Sequence, residues 1–127
     1  MGWSLLAVSV GAVVGANLRW AMSLWLNGPG AVIQPGTLMA NLVGAGLAGF
    51  CISWFSHSDL SPEWRLLLIT GLCGALTTFS TFSLELVAAL QAGKWAIMLV
   101  SVVVHVLGSL AMVAVGMWLF GVLRAPA

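Results

Sequence analysis

The sequence predicts an all-α integral membrane protein with four transmembrane helices. Of its 127 residues, 61% are hydrophobic and only 6% are charged. Soluble domains carry about a quarter charged residues, so this chain lacks the surface that such a domain presents to water. A spanning helix needs roughly 20 apolar residues, and the polar interruptions leave room for four. We therefore expect residues 1–127 to form a single four-helix membrane domain.

Polar and helix-breaking residues separate the four predicted helices. Asn27-Gly28-Pro29-Gly30 disfavours continued helix after the first span, and a polar loop over residues 56–62 follows the second. Most of the seven tryptophans lie near the proposed ends, where amphipathic rings favour the membrane interface. The predicted helices cover residues 3–26, 33–55, 63–92 and 95–123.

The third helix is expected to be broken near its middle. Residues 71–83 read GLCGALTTFSTFS, a small, polar and aromatic run inside an apolar sequence. In hydrocarbon each unpaired backbone N–H or C=O costs several kcal/mol, so such a run persists only if it is buried in protein or faces a water-filled cavity. We predict a break near residues 74–78 and a functional site around it.

The positive charges give almost no bias for orientation in the membrane. With an even number of helices, one side carries Arg65 and Arg124, and the other carries Lys94, with Arg19 near its helix end. With two positive residues on each side of the membrane, the positive-inside rule gives little preference for either orientation. The hypothesis is that the chain inserts in both orientations and assembles as an antiparallel, dual-topology homodimer.

Small residues offer the close helix contacts that such an assembly needs. Gly11 and Gly15 form a GxxxG pattern on the first helix, and Asn41, Ala45 and Gly49 share one face of the second. This spacing is common in membrane helices. It indicates packing rather than chemistry.

Polar residues inside the spans are the candidates for function. On the fourth helix, Ser101, His105 and Ser109 recur every four residues and so share one stripe. Two interpretations stay open: the stripe ties helices together by hydrogen bonds, or it lines a track for an ion or water. Other residues that could complete such a lining are Asn41, Ser80, Thr81, Ser83 and Glu85.

Phe79 and Phe82 lie on the same side of the second half of the third helix. Two phenylalanines at this spacing usually serve packing, but these two are interleaved with hydroxyl-bearing residues. An aromatic ring has a positive edge, so ring edges turned toward a path can favour an anion without binding it tightly. Weak binding is what conduction requires.

The charged residues leave alternatives, and no enzyme constellation accompanies them. Arg19 either extends to the interface or raises the anion concentration at a pore mouth. Glu85 is either a partly solvated carboxylate near a helix end or a pore-side acceptor that organises Thr81. The sequence has no HExxH, no phosphate-binding loop and no nucleophile beside a base. We expect neither an enzyme nor a nucleic-acid-binding protein.

Four segments resemble the small bacterial fluoride channels known as the Fluc or CrcB family. The segments are GAVVGANLRW at 11–20, GTLMANLVGAGLAG at 36–49, GLCGALTTFSTFS at 71–83 and HVLGSL at 105–110. The resemblance implies a fluoride-selective channel of the bacterial inner membrane that exports cytoplasmic fluoride passively. It also implies an antiparallel homodimer in the lipid bilayer, with two pores and a structural sodium ion at the interface.

The resemblance further implies roles for single residues. Phe79 and Phe82 would flank the fluoride path, and Asn41 would be a donor in its lining. Backbone carbonyls of Gly74 and Thr77 from both subunits would coordinate the sodium ion. The remaining residues of the predicted fluoride pore are Ser80, Thr81, Ser83, Glu85, His105, Ser109 and, at the vestibule, Arg19.

The alternative function is a small proton-coupled multidrug exporter, another class of four-helix, dual-topology dimer. Such a protein needs a membrane-embedded carboxylate, usually on its first helix. Here the first helix has Arg19 and no acid, and Glu85 lies near a helix end. A third possibility, a structural subunit without transport activity, leaves the polar track unexplained.

Overall fold

The chain is helical in the computed structural model, which describes residues 1–29, 31 and 33–125. Four helical stretches are long and apolar enough to cross a membrane: Gly2–Leu26, Pro35–Phe55, Pro62–Gln91 and Trp95–Arg124. The predicted all-α fold with four spanning helices is confirmed, and the described residues contain no strand. The helices, in chain order, are α1 Gly2–Leu26, α2 Pro35–Phe55, α3 at residues 62–76, α4 Phe79–Gln91 and α5 Trp95–Arg124.

Proline, asparagine and glycine shape the turns between the spans. Pro35 and Pro62 stand in the first turns of α2 and α3, where the missing N–H leaves no helical bond unmade. Asn27 follows α1, and its Oδ1 accepts a hydrogen bond from the Gly36 N–H at 2.7 Å. Gly93 adopts a φ of +71° between α4 and α5, a conformation open to glycine at no steric cost. These turns place α1 beside α2 and α4 beside α5.

Glycines on α1 allow backbone contact with α3. A Cβ atom at Gly11 would overlap the carbonyl oxygen of Leu67, and one at Gly15 would overlap that of Leu72. Small residues at this spacing favour close approach of membrane helices. The GxxxG pattern of α1 therefore packs this helix against α3 of the same chain.

A second set of glycines joins α2 to α5. A Cβ at Gly49 would overlap the carbonyl oxygen of Val113, and one at Gly116 would overlap that of Gly46. Each helix thus contributes a glycine to the contact. The fixed approach of α2 and α5 holds the polar stripe of α5 against the middle of α2.

Helix α3 is composite. It begins with the α-helical turn Pro62–Arg65, continues as the π-helix Leu66–Cys73 and ends with the short α-helical segment Gly74–Leu76. Its π-helical part carries Gly71, where a Cβ would meet the carbonyl oxygen of Val8 at 2.7 Å. The wider π-helical turn therefore lies directly against α1.

The third span is interrupted between α3 and α4. Thr77 and Thr78 adopt extended backbone with ψ angles of 153° and 112°, within the window of residues 74–78. Their β-branched side chains suit extended backbone. Thr78 then caps α4, because its Oγ1 accepts a hydrogen bond from the Thr81 N–H at 3.1 Å.

One side chain from α2 closes this break. The Thr78 N–H donates to Asn41 Oδ1 at 2.7 Å, and Asn41 Nδ2 donates to the Thr78 carbonyl oxygen at 3.2 Å. Asn41 Nδ2 also lies 3.2 Å from His105 Nδ1 on α5. Both backbone polar groups that the break exposes at Thr78 are therefore satisfied inside the protein.

We expect Gly116→Ala to weaken the contact between α2 and α5, because the new methyl group would overlap the Gly46 carbonyl oxygen. Overpacking of this kind costs about 1–3 kcal/mol, which thermal unfolding of the purified protein in detergent can measure. Gly121→Ala is the matched control, since a Cβ there meets nothing within 4 Å. Equal melting temperatures for the two variants would contradict the packing described for Gly116.

Asn41→Ala is expected to leave the Thr78 N–H and C=O unpaired, each at about 1–3 kcal/mol. Amide hydrogen exchange at Thr78 should therefore speed up strongly. Asn17→Ala is the control, because the Asn17 amide is exposed and donates to Val13 O within its own helix. Unchanged exchange at Thr78 in Asn41→Ala would mean that another group closes the break.

Candidate functional site

Three rings from α4 and α5 form a wall beside the break. The ring centroids of Phe79 and Phe82 lie 5.8 Å apart with planes at 60°. Phe82 stacks on His105 with centroids 4.4 Å apart and planes at 22°. Phe82 and His105 are buried, whereas Phe79 is 80% exposed. The wall is therefore buried at its His105 end and exposed at its Phe79 end.

A cavity of about 300 Å³ lies against this wall. It is bounded by α2, the break, α4 and α5, so it exists only because the third span is interrupted. Its lining offers amide, hydroxyl and imidazole groups but no Asp, Glu, Lys or Arg side chain. The lining residues are Asn41, Ala45, Thr77, Thr78, Phe79, Phe82, His105, Val106 and Ser109.

Hydroxyl groups cluster on the first turns of α4. Thr78 Oγ1 donates to Thr81 Oγ1 at 3.0 Å and lies 3.3 Å from Ser80 Oγ. Ser83 Oγ donates back to the Phe79 carbonyl oxygen at 2.8 Å. Ser80, Thr81 and Ser83 lie outside the lining of the first cavity. These three residues lie on the first two turns of α4, beside the first cavity.

A second cavity, of about 310 Å³, lies near the start of α2 and the end of α4. Thr37 donates a hydrogen bond to Glu85 Oε1. Glu85 Oε2 and Gln34 Oε1 are buried and have no donor among the described residues. Lys94 also lines this cavity, which therefore combines carboxylate and amide acceptors with a cation.

Arg19 binds the end of α3. Its Nε donates to the Ala75 carbonyl oxygen at 3.1 Å. The last carbonyls of a helix have no partner within it and carry partial negative charge, so a guanidinium group is favourable there. Arg19 does not line the first cavity; its contact is with the broken helix itself.

Backbone oxygens at the break are the candidate metal ligands. The Thr77 N–H donates to Cys73 O at 3.0 Å and the Thr78 N–H to Asn41, so Gly74 O lacks the donor it would have in a continuous helix. Gly74 is exposed. Carbonyl oxygens of this kind fit a hard cation such as sodium. In the described part of the chain, no group of three His, Cys, Asp or Glu side chains could hold a metal.

The predicted pore residues thus fall into separate places. The first cavity brings together Asn41, Phe79, Phe82, His105 and Ser109, and Glu85 lies in the second. The sequence did not single out Thr37 or Gln34. Thr37 precedes Asn41 by one helical turn, and that spacing was the one signal that could have identified it.

Residues 6–117 match the family described as CrcB-like protein, Camphor Resistance (CrcB). A protein named "Fluoride-specific ion channel FluC" from Marinobacter nauticus is 59% identical over 125 residues, which cover 98% of this chain and 99% of that protein. A protein of the same name from Chromohalobacter salexigens is 52% identical to this chain, and the match covers 98% of this chain and 95% of that protein. Another from Acinetobacter baumannii is 48% identical, and the match covers 92% of this chain and 93% of that protein.

The match extends over nearly the whole chain, including every helix that builds the two cavities. The four spans and the bacterial relatives agree with the predicted location, and the chain is a multi-pass protein of the bacterial inner membrane. Because the family match covers most of the chain and relatives share more than half of its residues, this chain belongs to the CrcB family.

Proposed function

We propose that this chain is a fluoride-selective channel through which cytoplasmic fluoride leaves the cell passively. The observation that carries the proposal is the cavity at the broken helix, whose lining offers hydrogen-bond donors and ring edges without a formal charge. The relatives that match almost the whole chain are named fluoride-specific ion channels. Those names also support the prediction that the protein is a channel and not an enzyme.

An uncharged lining suits conduction better than a fixed cation does. A conducted ion must bind well enough to enter and weakly enough to leave. Both amide protons of Asn41 are engaged, one by Thr78 O and one by His105. Asn41 therefore acts by closing the break, while the His105 imidazole, the Ser109 hydroxyl and the ring edges of Phe79 and Phe82 face the ion.

The proposed route continues along α4 from the first cavity to the second. Ser80, Thr81 and Ser83 supply the hydroxyl groups on this stretch of α4, which begins at the first cavity and reaches Glu85 in the second. At the far end Lys94 attracts an anion and Glu85, held by Thr37, limits how tightly the anion can stay. Charge is thus kept to the end of the route, away from the aromatic wall.

A second copy of the chain completes the proposed channel. Phe79 is 80% exposed, and Ser80 and Gly74 are also exposed, so one chain leaves this side of the aromatic pair uncovered. An antiparallel partner covers it and creates two equivalent pores. The balance of two positive charges on each side of the membrane supports this dual topology.

The same partner supplies the other half of the proposed sodium site. Carbonyl oxygens of Gly74 and Thr77 from both copies are the proposed ligands, and oxygen ligands suit this hard cation. The ion's role is structural: it holds the two breaks against each other at the centre of the interface.

Export needs no coupling ion. An inside-negative potential favours anion exit by about 2.3 kcal/mol per charge for each 100 mV. The exporter alternative requires a proton-carrying carboxylate beside a drug site. α1 carries no acidic residue, and Glu85 shares its cavity with Lys94, which disfavours binding of a cationic drug there.

Phe79→Ile is expected to reduce fluoride efflux from liposomes to the level of protein-free liposomes, because the aromatic ring edge is lost. The Phe79 side chain is exposed, so its replacement should leave the fold of the chain intact. A fluoride electrode measures the efflux, and chloride efflux is the comparison for selectivity. Leu84→Ile, on the same helix and 71% exposed, is the control and should conduct normally. Normal efflux from Phe79→Ile would contradict the aromatic path, and absence of fluoride efflux from the unmodified protein would refute the channel.

A tag at the C-terminus is expected on both faces of the inner membrane in the same cells, as measured by protease accessibility of spheroplasts and inverted vesicles. Lys94→Gln removes one positive charge from one side, so it should shift the population toward a cytoplasmic C-terminus. A tag found on a single face of the unmodified protein would overturn the dual topology.

A further inference from the structure

The imidazole of His105 holds the side chain that closes the break. We propose that neutral His105 is a positioning residue for Asn41, and that protonation of His105 in acid lowers the fluoride current. The proposal rests on the channel function proposed above. It assigns acid sensitivity of that channel to a single side chain.

The orientation of the Asn41 amide is fixed by the backbone of Thr78. The Thr78 N–H is a donor, so the Asn41 atom 2.7 Å from it is the acceptor Oδ1. The Thr78 carbonyl oxygen is an acceptor, so the atom 3.2 Å from it is the donor Nδ2. A flipped amide would face a donor with a donor and an acceptor with an acceptor.

This orientation in turn fixes the tautomer of His105. Asn41 Nδ2 carries a second proton and lies 3.2 Å from His105 Nδ1. A hydrogen bond forms there only if Nδ1 is unprotonated, because Nδ2 has no acceptor lone pair. Neutral His105 therefore carries its proton on Nε2.

The Nε2–H group is left over as a donor. His105 is 4% exposed, and its Nε2 has no hydrogen-bond partner among the described residues. The side chain lines the first cavity. The desolvation of this buried donor is therefore uncompensated within the described part of the chain.

Acid converts His105 Nδ1 from an acceptor into a donor, while Nε2 stays a donor. A protonated Nδ1 points a proton at the donor Nδ2 of Asn41, so one of the three hydrogen bonds of this amide is lost. Stacking on Phe82 keeps the charged ring in place, in a cavity without any other charged side chain. A fixed cation there holds fluoride too tightly for rapid conduction, so both effects lower the current.

Few other titratable groups lie on the helices that pack against His105. On α2 the one titratable side chain is Cys51, about three turns beyond Asn41. On α4 it is Glu85, whose carboxylate accepts a hydrogen bond from Thr37. On α5 itself Lys94 caps the first turn and Arg124 ends the helix, both remote from its middle. Glu85 is therefore the competing source of any acid response.

Fluoride current across planar bilayers tests the proposal, because the fluoride ion carries electrical current and neutral hydrogen fluoride does not. Between about pH 8 and about pH 4.5 we expect the current of the unmodified channel to fall at least about threefold, because a buried imidazole takes up its second proton only in acid. His105→Asn places an untitratable oxygen near the position of Nδ1, so its current should stay constant over this range. A current from His105→Asn that still falls in acid would assign the response to Glu85 and overturn the proposal.

His57→Asn is the matched control, since His57 is the other histidine, exposed and bonded within its own segment to Ser53 O. It should keep the full acid response. This variant also leaves His105 as the one histidine, so nitrogen NMR of histidine-labelled protein reads its tautomer directly, whatever the current. A proton on Nε2 at neutral pH supports the proposal, and a proton on Nδ1 overturns it.

The outcomes separate the two proposals. A fluoride current that does not change with pH overturns the role of His105 and leaves the channel function standing. No fluoride current at any pH refutes the channel function itself.

Discussion

A helix can break inside hydrocarbon only if other groups take over the hydrogen bonds that the break leaves open. Asn41 on α2 takes over the N–H and C=O of Thr78, and Arg19 on α1 bonds the Ala75 carbonyl at the end of α3. The Thr78 hydroxyl caps α4. These groups come from different helices, so the local backbone conformation at the break depends on the packing of the whole bundle.

Glycine contacts make that arrangement possible. Gly49 and Gly116 set the approach of α2 to α5, which brings Asn41 within reach of His105. Gly44, near Asn41 on α2, admits the break itself, because a Cβ there would overlap the Thr77 methyl group. The same stretch of α2 therefore supplies both the amide that bonds the break and the space that the break occupies.

The sequence predicted features that depend on nearby residues and missed those that depend on how the helices pack. Four apolar spans and a break near residues 74–78 could be predicted, because hydropathy and helix-breaking residues act locally. The partners of Arg19 and Glu85 could not, since these bonds join residues 56 and 48 positions apart and depend on how far each helix is shifted along its neighbour. Gly11 and Gly15 were recognisable as contact positions, but their partner in the same chain was not.

The prediction for Asn41 shows a further limit. The resemblance implies that Asn41 is a donor in the lining of the fluoride path, and the structure adds two hydrogen bonds of this amide to Thr78 and a contact with His105 Nδ1. Sequence pattern indicates that a polar group needs a partner, but three-dimensional structure decides which one it receives. Here the backbone of Thr78 is one such partner.

The distribution of exposure around the break bears on how the proposed dimer forms. The hydrogen bonds of Thr78 are complete within one chain, and Phe82 and His105 are buried there, whereas Phe79 is 80% exposed. The proposed second copy would thus cover the Phe79 ring and the exposed Gly74, while the hydrogen bonds of Thr78 stay within each chain. Association need not exchange these hydrogen bonds in lipid, where exposing unpaired groups is costly. The break can therefore be fully formed in each chain before the aromatic pair is enclosed.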